Sequence, residues 1–371
     1  MRLSHGSPSR VLEPPVPSVR SGEENGAAPR GSRPIRVLSN ADWFDARMVT
    51  SVPIEARRVS GTGVLASLRD FWRARNYDAV VFNGAWWQLF RFCLLRKLVP
   101  TWRAKLVSVD LILWRPRGFV ERSKAWVKRR LLTAVDLFIL YYRDTAELER
   151  LYGITADRLS YVPFEVNDYA RVLATTTRDE GFILACGRSL RDYLTFGRAM
   201  QGLPYKACIL ATLECLAEHG TADNFLALCP PNVTVVGHDG SSESWIDWMA
   251  RSSFVVLPIL PEAISCAGIS TYFVAMALGK CVIITEGPAT RGILEDGQAI
   301  IVPPSDASAL KAAIIAARED AAYRSRVASA GQRYARALGA HERLARDICR
   351  EVVRLVAKPE ARSDTSPLRD G

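Results

Sequence analysis

The chain alternates between short apolar runs and longer amphipathic stretches. Two of the runs, FVVL at Phe254–Leu257 and CVIIT at residues 281–285, have the length and β-branched content of buried parallel strands. Between them, residues 272–278 are predicted to form a helix, with Ser270 or Thr271 as its N-cap. These elements make a βαβ unit, and its loop opens at the carboxyl edge of the sheet, where α/β proteins bind ligands.

The same alternation predicts strands and helices over most of the chain. In the first half, a stretch rich in Ser and Arg leads to a helix that ends near Arg75. Strands of this half are predicted at Ile35–Ser39, Ala79–Asn83 and residues 105–113, 135–141 and 159–162. Strands of the second half are predicted at residues 182–186, 205–211, Val233–Val236, 254–257, 281–285 and Ile300–Val302. The main helices are predicted at residues 88–99, 119–134 and 341–357. This order indicates an α/β fold with parallel sheets covered by helices.

A length of 371 residues, 49% of them hydrophobic, is enough for two domains with separate cores. Residues 1–34 are rich in Pro, Ser, Gly and Arg and are predicted to be a disordered tail, and residues 358–371 a loose one. The eight cysteines form no C-x-x-C pair, which indicates reduced thiols and no zinc or other metal site. Because no apolar run is long enough to cross a bilayer and no signal peptide is visible, we predict a cytoplasmic protein.

Charge is concentrated in residues 84–133, called here the basic aromatic segment. It holds twelve Lys or Arg residues against Asp110 and Glu121, a charge of +10 that equals the net charge of the whole chain. Five of the nine tryptophans also lie in it, at positions 86, 87, 102, 114 and 126. This composition suits an anionic membrane surface, and it also suits single-stranded nucleic acid. The alternative is that several tryptophans are core residues and the arginines form a solvated face.

Two groups of residues at strand ends have the chemistry to bind a phosphate. Small residues before the predicted helix leave its free N–H groups open to an anion, namely Cys266, Ala267, Gly268, Ser270 and Thr271. The second group follows the strand at 182–186 and consists of Gly187, Arg188, Ser189 and Arg191. Its arginines can hold a diphosphate through charge and bidentate hydrogen bonds. The alternatives are an ordinary βαβ turn and a solvated loop with an Arg191–Asp192 surface pair.

The first half offers one candidate for a general base. None of the four histidines lies in its folded part, which leaves Asp110, inside the predicted strand SVDLIL. As an alternative, such an aspartate pairs with a nearby arginine or caps a neighbouring segment.

The segment AGISTYFVAMALGKCVIIT resembles the donor-binding segment of retaining glycosyltransferases of family 4. The run that follows it, EGPATRGILEDGQAIIVPPSDASALKAAI, resembles the same family. The resemblance covers residues 183–337 well and the earlier half in outline. It implies a GT-B fold, in which two Rossmann-like domains with parallel sheets face each other across a cleft. The second domain would bind a nucleotide-sugar and the first would present the acceptor.

The resemblance also suggests domain boundaries. A helix ending in LYGI and followed by RLSYVP resembles the end of the family's first domain. We therefore place the first domain at residues 35–165, a linker at 166–180 and the second domain at 181–340. In this fold a helix such as 341–357 often crosses back to the first domain.

Further site residues are implied by the family pattern. Arg188 matches an arginine that holds the donor diphosphate, and Arg191 is the candidate substitute for the family's lysine. His238 lies where the donor base packs, although a turn histidine without a special role is the alternative. The family's two glutamates are replaced by Cys266 and Val274. Glu262 is a candidate partial replacement for the first, or else a solvated loop acid.

The sequence thus predicts a glycosyltransferase that uses a nucleotide-diphosphate sugar and needs neither metal nor cofactor. The predicted catalytic residues are Arg188, Arg191, Glu262 and Asp110. The predicted donor-binding residues are Gly187, Ser189, His238, Cys266, Gly268, Ile269, Ser270 and Thr271. We expect retention of configuration, a saccharide or lipid-linked acceptor in envelope or exopolysaccharide synthesis, and peripheral binding to the inner membrane face. The alternatives are a non-catalytic GT-B protein that binds a sugar nucleotide or a partner, and a nucleic-acid-binding protein. We predict no nucleic-acid partner, because no recognised motif accompanies the charge.

Overall fold

A computed structural model of the protein describes residues 33–41, 44, 53–187, 190–211 and 229–357. Its strands form two six-stranded sheets in which every pair of neighbours is parallel. The predicted tails, apart from Arg33 and Pro34, lie outside the described residues, as do Arg188 and Ser189. The predicted α/β class with two parallel sheets is therefore confirmed.

The first sheet has the order β2-β1-β3-β4-β5-β6. Its strands are β1 Ile35–Ser39, β2 Ile54–Arg58, β3 Ala79–Asn83, β4 Lys105–Val109, β5 Leu137–Leu140 and β6 Leu159–Tyr161. Its helices are α1 Val64–Arg73, α2 Trp86–Leu98, α3 Gly118–Leu132 and α4 Ala146–Tyr152. Three of the four inner strands, β3, β4 and β5, consist almost entirely of buried residues, most of them apolar, as expected for parallel strands covered on both faces.

The second sheet has the order β12-β11-β10-β7-β8-β9. Its strands are β7 Ile183–Cys186, β8 Ala207–Leu210, β9 Val233–Val236, β10 Phe254–Leu257, β11 Val282–Thr285 and β12 Ile300–Val302. The remaining helices are α5 Tyr169–Ala174, α6 Tyr193–Met200, α7 Ser242–Arg251, α8 Ile269–Ala277, α9 Ala307–Glu319, α10 Ala321–Leu338 and α11 His341–Ala357. Strand β7 lies at the centre, next to β10 and β8, so the chain after β7 and the chain after β10 leave the sheet side by side.

One strand was not predicted, and two predicted elements differ clearly from the structure. Strand β2 was not predicted, because only Ile54 of its five residues is buried and the others give no apolar run. The predicted strand at 105–113 ends at Val109, since Asp110 takes a left-handed conformation with φ of 52°. Helix α8 begins at Ile269 with Gly268 as its N-cap, so the prediction of Ser270 or Thr271 as the cap is wrong. Gly268 has φ of 91°, a conformation in which glycine is favoured.

The last described helix, α11, packs against the first sheet although it follows the second in sequence. Its buried side chains are Leu344, Ala345, Ile348, Cys349 and Val352. It contacts β4 and β5, and the hydroxyl of Ser160 donates to Oε2 of Glu351 at 3.0 Å. The guanidinium of Arg343 donates to the carbonyl oxygens of Pro163 and Phe164 at 2.9 and 2.8 Å. None of the described helices combines the length and the hydropathy that a membrane span requires.

Candidate functional site

Two cavities lie next to each other between the two sheets. The larger, of about 600 Å³, is lined mainly by α2, α3 and the chain after β4, and we call it the aromatic cavity. The smaller, of about 440 Å³, is lined largely by the chain before α8, the start of α8 and the chain before α7, and we call it the helix-end cavity. Three residues line both, namely Asp110, Ile112 and Leu190. A ligand in one cavity can therefore reach a ligand in the other at these residues.

The first turn of α8 forms one wall of the helix-end cavity. Ile269, Ser270 and Thr271 line it together with Cys266 and Gly268. No side chain caps this helix end. The free N–H groups of a helix N-terminus carry a partial positive charge and bind anions. The structure therefore brings together the predicted donor-binding residues from 266 to 271.

Arg191 forms part of the same wall and is buried, with only 3% of its surface exposed. Its Nε donates to the carbonyl oxygen of Cys186 at 2.9 Å. Gly187 makes room for its guanidinium group, because a Cβ there would lie 2.1 Å from Nε, whereas a Cβ on Gly268 would only contact Nη2, at 3.6 Å. Burial lowers the pKa of Arg191, yet an arginine remains charged in proteins. A fixed positive charge thus lies beside the open end of α8.

The alternative interpretation of this loop, a solvated Arg191–Asp192 surface pair, is wrong. Both residues are buried. The carboxylate of Asp192 instead caps α6, where Oδ1 accepts from the N–H of Thr195 at 3.0 Å. Arg188 and Ser189, which the sequence places in the same loop, are outside the described residues, and their roles stay predictions.

Asp110 lies where the two cavities meet. The thiol of Cys266 donates to its Oδ1 at 3.5 Å, across the boundary between the two domains. Burial raises the pKa of Asp110, and the hydrogen bond from Cys266 lowers it in part. Burial also raises the pKa of Cys266, so this side chain stays a neutral thiol. No arginine in the described chain forms an ion pair with Asp110, which leaves its carboxylate available to a ligand.

Backbone strain is concentrated at this site. Four described residues other than glycine have positive φ, and Asp110, Asp168 and Leu190 among them line the helix-end cavity. Such conformations cost about 1–3 kcal/mol each and are frequent at functional sites. The signal was invisible in the sequence, because none of the three positions is a glycine.

His238 also lines the helix-end cavity. Its Nδ1 accepts a hydrogen bond from the N–H of Gly240 at 2.8 Å, and its ring packs edge-on against Trp245 at 5.0 Å. Because Nδ1 is an acceptor, the neutral ring carries its proton on Nε2. This nitrogen is buried and has no partner among the described residues. Nε2 can therefore donate a hydrogen bond to a ligand that enters the cavity.

Glu262 was predicted to replace the family glutamate whose position Cys266 occupies. The two residues line different cavities, Glu262 the aromatic cavity and Cys266 the helix-end cavity. One carboxylate oxygen forms an ion pair with Arg117 at 2.5 Å. Its other oxygen, Oε2, is buried and has no partner in the described chain. A catalytic role for Glu262 stays a prediction.

Lys128 is a site residue that the sequence did not single out. It lines the aromatic cavity, and its Nζ lies 5.9, 5.9 and 5.1 Å from the ring centroids of Trp86, Phe90 and Trp114. In sequence it is one of twelve basic residues in the basic aromatic segment. Only the packing of α2 on α3 separates it from the others.

Residues 216–320 match the family model described as glycosyl transferases group 1. The chain resembles the group 1 glycosyltransferases. Solved structures similar to it have the GT-B fold, as predicted. A comparison with curated proteins finds no match.

Three solved glycosyltransferase structures show the extent of the likeness. A glycosyltransferase from Rickettsia africae is 12% identical with a TM-score of 0.60, and the match covers 88% of this chain and all of that one, 100%. Anabaena HepE in complex with UDP and glucose is 15% identical with a TM-score of 0.61, and the match covers 86% of this chain and 99% of HepE. Sucrose-phosphate synthase from Thermosynechococcus elongatus is 16% identical with a TM-score of 0.61, and the match covers 88% of this chain and 100% of the synthase. At these identities the likeness establishes the GT-B fold.

Proposed function

We propose that the protein transfers a sugar from a nucleotide-diphosphate donor to an acceptor hydroxyl. One observation carries this proposal: Arg191, the open end of α8 and the carboxylate of Asp110 all line one cavity between two sheets of a GT-B fold. The positive groups suit the diphosphate of a donor, and the carboxylate suits its sugar. Because HepE was solved with UDP and with UDP-glucose, we propose a UDP-sugar as the donor to test first.

The donor diphosphate would bind between Arg191 and the first turn of α8. When the bond between the sugar and the phosphate breaks, negative charge builds up on the departing diphosphate. Preorganised N–H groups and a buried guanidinium stabilise that charge, which is the role a metal ion has in other enzymes. The amides of Ser270 and Thr271, which no side chain caps, are the proposed donors. We therefore propose transfer that is independent of metal ions and of any cofactor.

The acceptor hydroxyl would enter from the aromatic cavity and attack the anomeric carbon at the junction. The new bond joins the acceptor oxygen to this carbon as the bond to the phosphate oxygen breaks, and the proton moves to that phosphate oxygen. Attack from the side of the leaving group gives retention. Asp110 would stabilise the positive charge that develops at the anomeric carbon, because its carboxylate lies where both cavities meet.

A second candidate function is a GT-B protein that binds a nucleotide-sugar without transferring it. The observation in its favour is that Cys266 and Val274, which replace the family's glutamates, both line the helix-end cavity. Against it stands Asp110, which is hydrogen-bonded to Cys266 and so supplies a carboxylate close to one of the two vacant positions. Both functions require the protein to bind the donor, but only the first predicts turnover of the donor.

Thermal unfolding with nucleotides tests donor binding. UDP at a hundred times its dissociation constant adds about 2.7 kcal/mol to the free energy of unfolding. We expect UDP to raise the melting temperature of the protein and to do so far less in Arg191→Ala, since a hydrogen bond to a charged group contributes about 1.5–3 kcal/mol. Arg198→Ala is the matched control, because Arg198 is exposed on α6 in the same loop-helix unit.

The comparison uses each variant's own unliganded melting temperature as its baseline. Equal stabilisation of Arg191→Ala and wild type by UDP would remove Arg191 from the donor site. Release of UDP from a UDP-sugar, in the presence of acceptor extract, separates transfer from binding alone.

We further propose that the protein binds the inner face of an anionic membrane and uses a lipid-linked acceptor in envelope or exopolysaccharide synthesis. Helices α1, α2 and α3 pack side by side and expose large apolar residues. These are Val64, Leu65, Leu68, Trp72, Trp86, Trp87, Leu94, Leu98, Phe119, Val120, Trp126 and Val127. Exposed apolar patches mark interaction sites, and tryptophan beside basic residues suits the membrane interface.

The alternative of a tryptophan-rich core holds for only one residue of the basic aromatic segment. Trp102 is buried, 4% exposed, and stacks on Phe71, whereas Trp126 is 60% exposed. Some of the charge is used internally, since Arg96, Arg115 and Arg117 form ion pairs. Arg122 and Lys124 of α3 are exposed and form no ion pair in the described ranges, so they remain available to lipid headgroups.

Co-sedimentation with vesicles tests the membrane proposal. Each basic residue near an anionic surface contributes about 1 kcal/mol, so Arg122→Glu with Lys124→Glu is expected to weaken binding to phosphatidylserine vesicles by roughly tenfold or more. Arg326→Glu with Arg333→Glu, two exposed positions on α10, is the control with the same charge change. Binding that is equal for neutral vesicles, or that does not fall with salt, would contradict the proposal. An equal loss in both double variants would indicate a net-charge effect only.

A further inference from the structure

We propose that the aromatic cavity binds an amphiphilic acceptor, whose apolar chain lies between the walls and whose anionic group binds the ammonium of Lys128. This inference rests on the proposed function, since it names the class of acceptor that the cleft would take. The anionic group is a phosphate or a carboxylate, and either one would form an ion pair with the ammonium of Lys128.

The walls of the aromatic cavity are apolar. They are formed by Phe82, Trp86, Leu89, Phe90, Leu111, Leu113 and Trp114. A volume of about 600 Å³ is in the range of sites for drug-sized ligands, and such sites combine apolar walls with a few polar groups. A free saccharide could stack the C–H face of its ring on one aromatic side chain but would leave the remaining walls uncovered. An alkyl or isoprenoid chain would bury them.

The arginines that line the cavity are engaged with carboxylates, whereas Lys128 is not. Arg115 pairs with Glu147 at 3.0 Å, and Arg117 pairs with Glu262. The carboxylate of Glu121 accepts a hydrogen bond from the backbone N–H of Arg117. Lys128 forms no ion pair with any residue that the structure describes, and its ammonium lies among three aromatic rings. The rings stabilise a cation, but they do not supply the direct ion pair that an anionic ligand would.

The surroundings of Lys128 make an anion favourable there. Burial lowers the pKa of Lys128 and the nearby charge of Lys124 lowers it further, while the nearby carboxylate of Glu121 raises it in part. The two lowering effects disfavour the isolated ammonium, so a bound anion would relieve them by charge pairing. The cavity also holds the unpartnered Oε2 of Glu262, which can accept a hydrogen bond from a hydroxyl of the same ligand. The cavity therefore fits a ligand that has an apolar chain, an anionic group and a hydroxyl, which is an amphiphilic acceptor.

Isothermal titration calorimetry with three probes tests this inference without any sugar donor. The probes are decyl phosphate below its micelle concentration, decan-1-ol, and inorganic phosphate. We expect the full chain to bind decyl phosphate at least tenfold more tightly than decan-1-ol, and inorganic phosphate more weakly than either. The variant Lys128→Met is expected to bind decyl phosphate and decan-1-ol with similar affinity, and Lys128→Arg to keep the preference. Lys206→Met, a change of the same type at an exposed position that lines neither cavity, is the control and is expected to behave as wild type.

Three results would overturn the inference. They are equal affinity of the wild type for decyl phosphate and decan-1-ol, a preference that survives in Lys128→Met, and binding of inorganic phosphate as tight as that of decyl phosphate. The last would indicate a simple anion site. Because the probes contain no nucleotide, a protein that fails to bind UDP but binds decyl phosphate as expected would contradict the proposed function and leave only the binding site for an amphiphilic anion.

Discussion

Asp110→Asn is expected to lower the turnover of sugar transfer by roughly 10²–10³-fold, the scale for loss of one preorganised electrostatic group. The amide keeps the shape of the side chain and removes its negative charge at the junction of the two cavities. Asparagine also tolerates the left-handed backbone that Asp110 adopts, with φ of 52°. The variant is therefore expected to fold and to bind UDP as tightly as the wild type.

The pH dependence of transfer gives a second readout of the same residue. Burial raises the pKa of Asp110 above the ordinary value of an aspartate, and the carboxylate is needed in its ionised form. Activity of the wild type is thus expected to fall as pH decreases through this raised pKa, at a higher pH than an exposed aspartate would give. Asp110→Asn should lack this acidic limb. A variant with full turnover and an unchanged pH profile would show that Asp110 has no part in catalysis.

Gly268→Val is expected to weaken UDP binding by about a hundredfold or more. A Cβ at this position would lie 3.3 Å from Cδ1 of Ile259 and 3.6 Å from Nη2 of Arg191, and φ of 91° is strained for any residue with a side chain. The two γ-methyl groups of valine extend beyond a Cβ that is already tight against Ile259 and in contact with the guanidinium, so the first turn of α8 moves away and the two positive groups no longer converge on one diphosphate.

Gly181→Val is the matched control for this change. Gly181 has φ of 82°, and a Cβ there would meet no heavy atom within 4 Å. Both variants therefore carry the backbone strain, about 1–2 kcal/mol, and only Gly268→Val disturbs the cavity. Calorimetry with UDP and circular dichroism on both variants separate the loss of the site from the loss of the fold. If both bind UDP equally, the loop has only a structural role.

The strands of the second sheet were predictable because the signal for each is local. Val233–Val236, Phe254–Leu257 and Ile300–Val302 are apolar runs bounded by polar or turn residues, and their predicted bounds agree with the structure. Strand β2 was missed for the opposite reason, since an edge strand that buries one residue has no local apolar pattern.

The candidate site was predictable only in part, because its geometry depends on contacts between distant segments. The sequence identified residues 266–271 as an anion site, and they do line one cavity. It gave no sign that Gly187 makes room for the side chain of Arg191, or that Cys266 meets Asp110 from the other domain. It could not distinguish Lys128 from its basic neighbours either, since their difference arises from the packing of α2 on α3.

The packing of α11 on the first sheet has a consequence for the order in which the chain folds during synthesis. The ribosome delivers strands β1 to β6 early, but the helix that covers β4 and β5 is the last described element. The amino-terminal domain therefore cannot finish its core until nearly all of the carboxyl-terminal domain has emerged. Its apolar face stays uncovered during that interval, when nascent chains are most prone to aggregate. Cleavage of the chain between β6 and β7 would for the same reason leave the two halves held together by this helix.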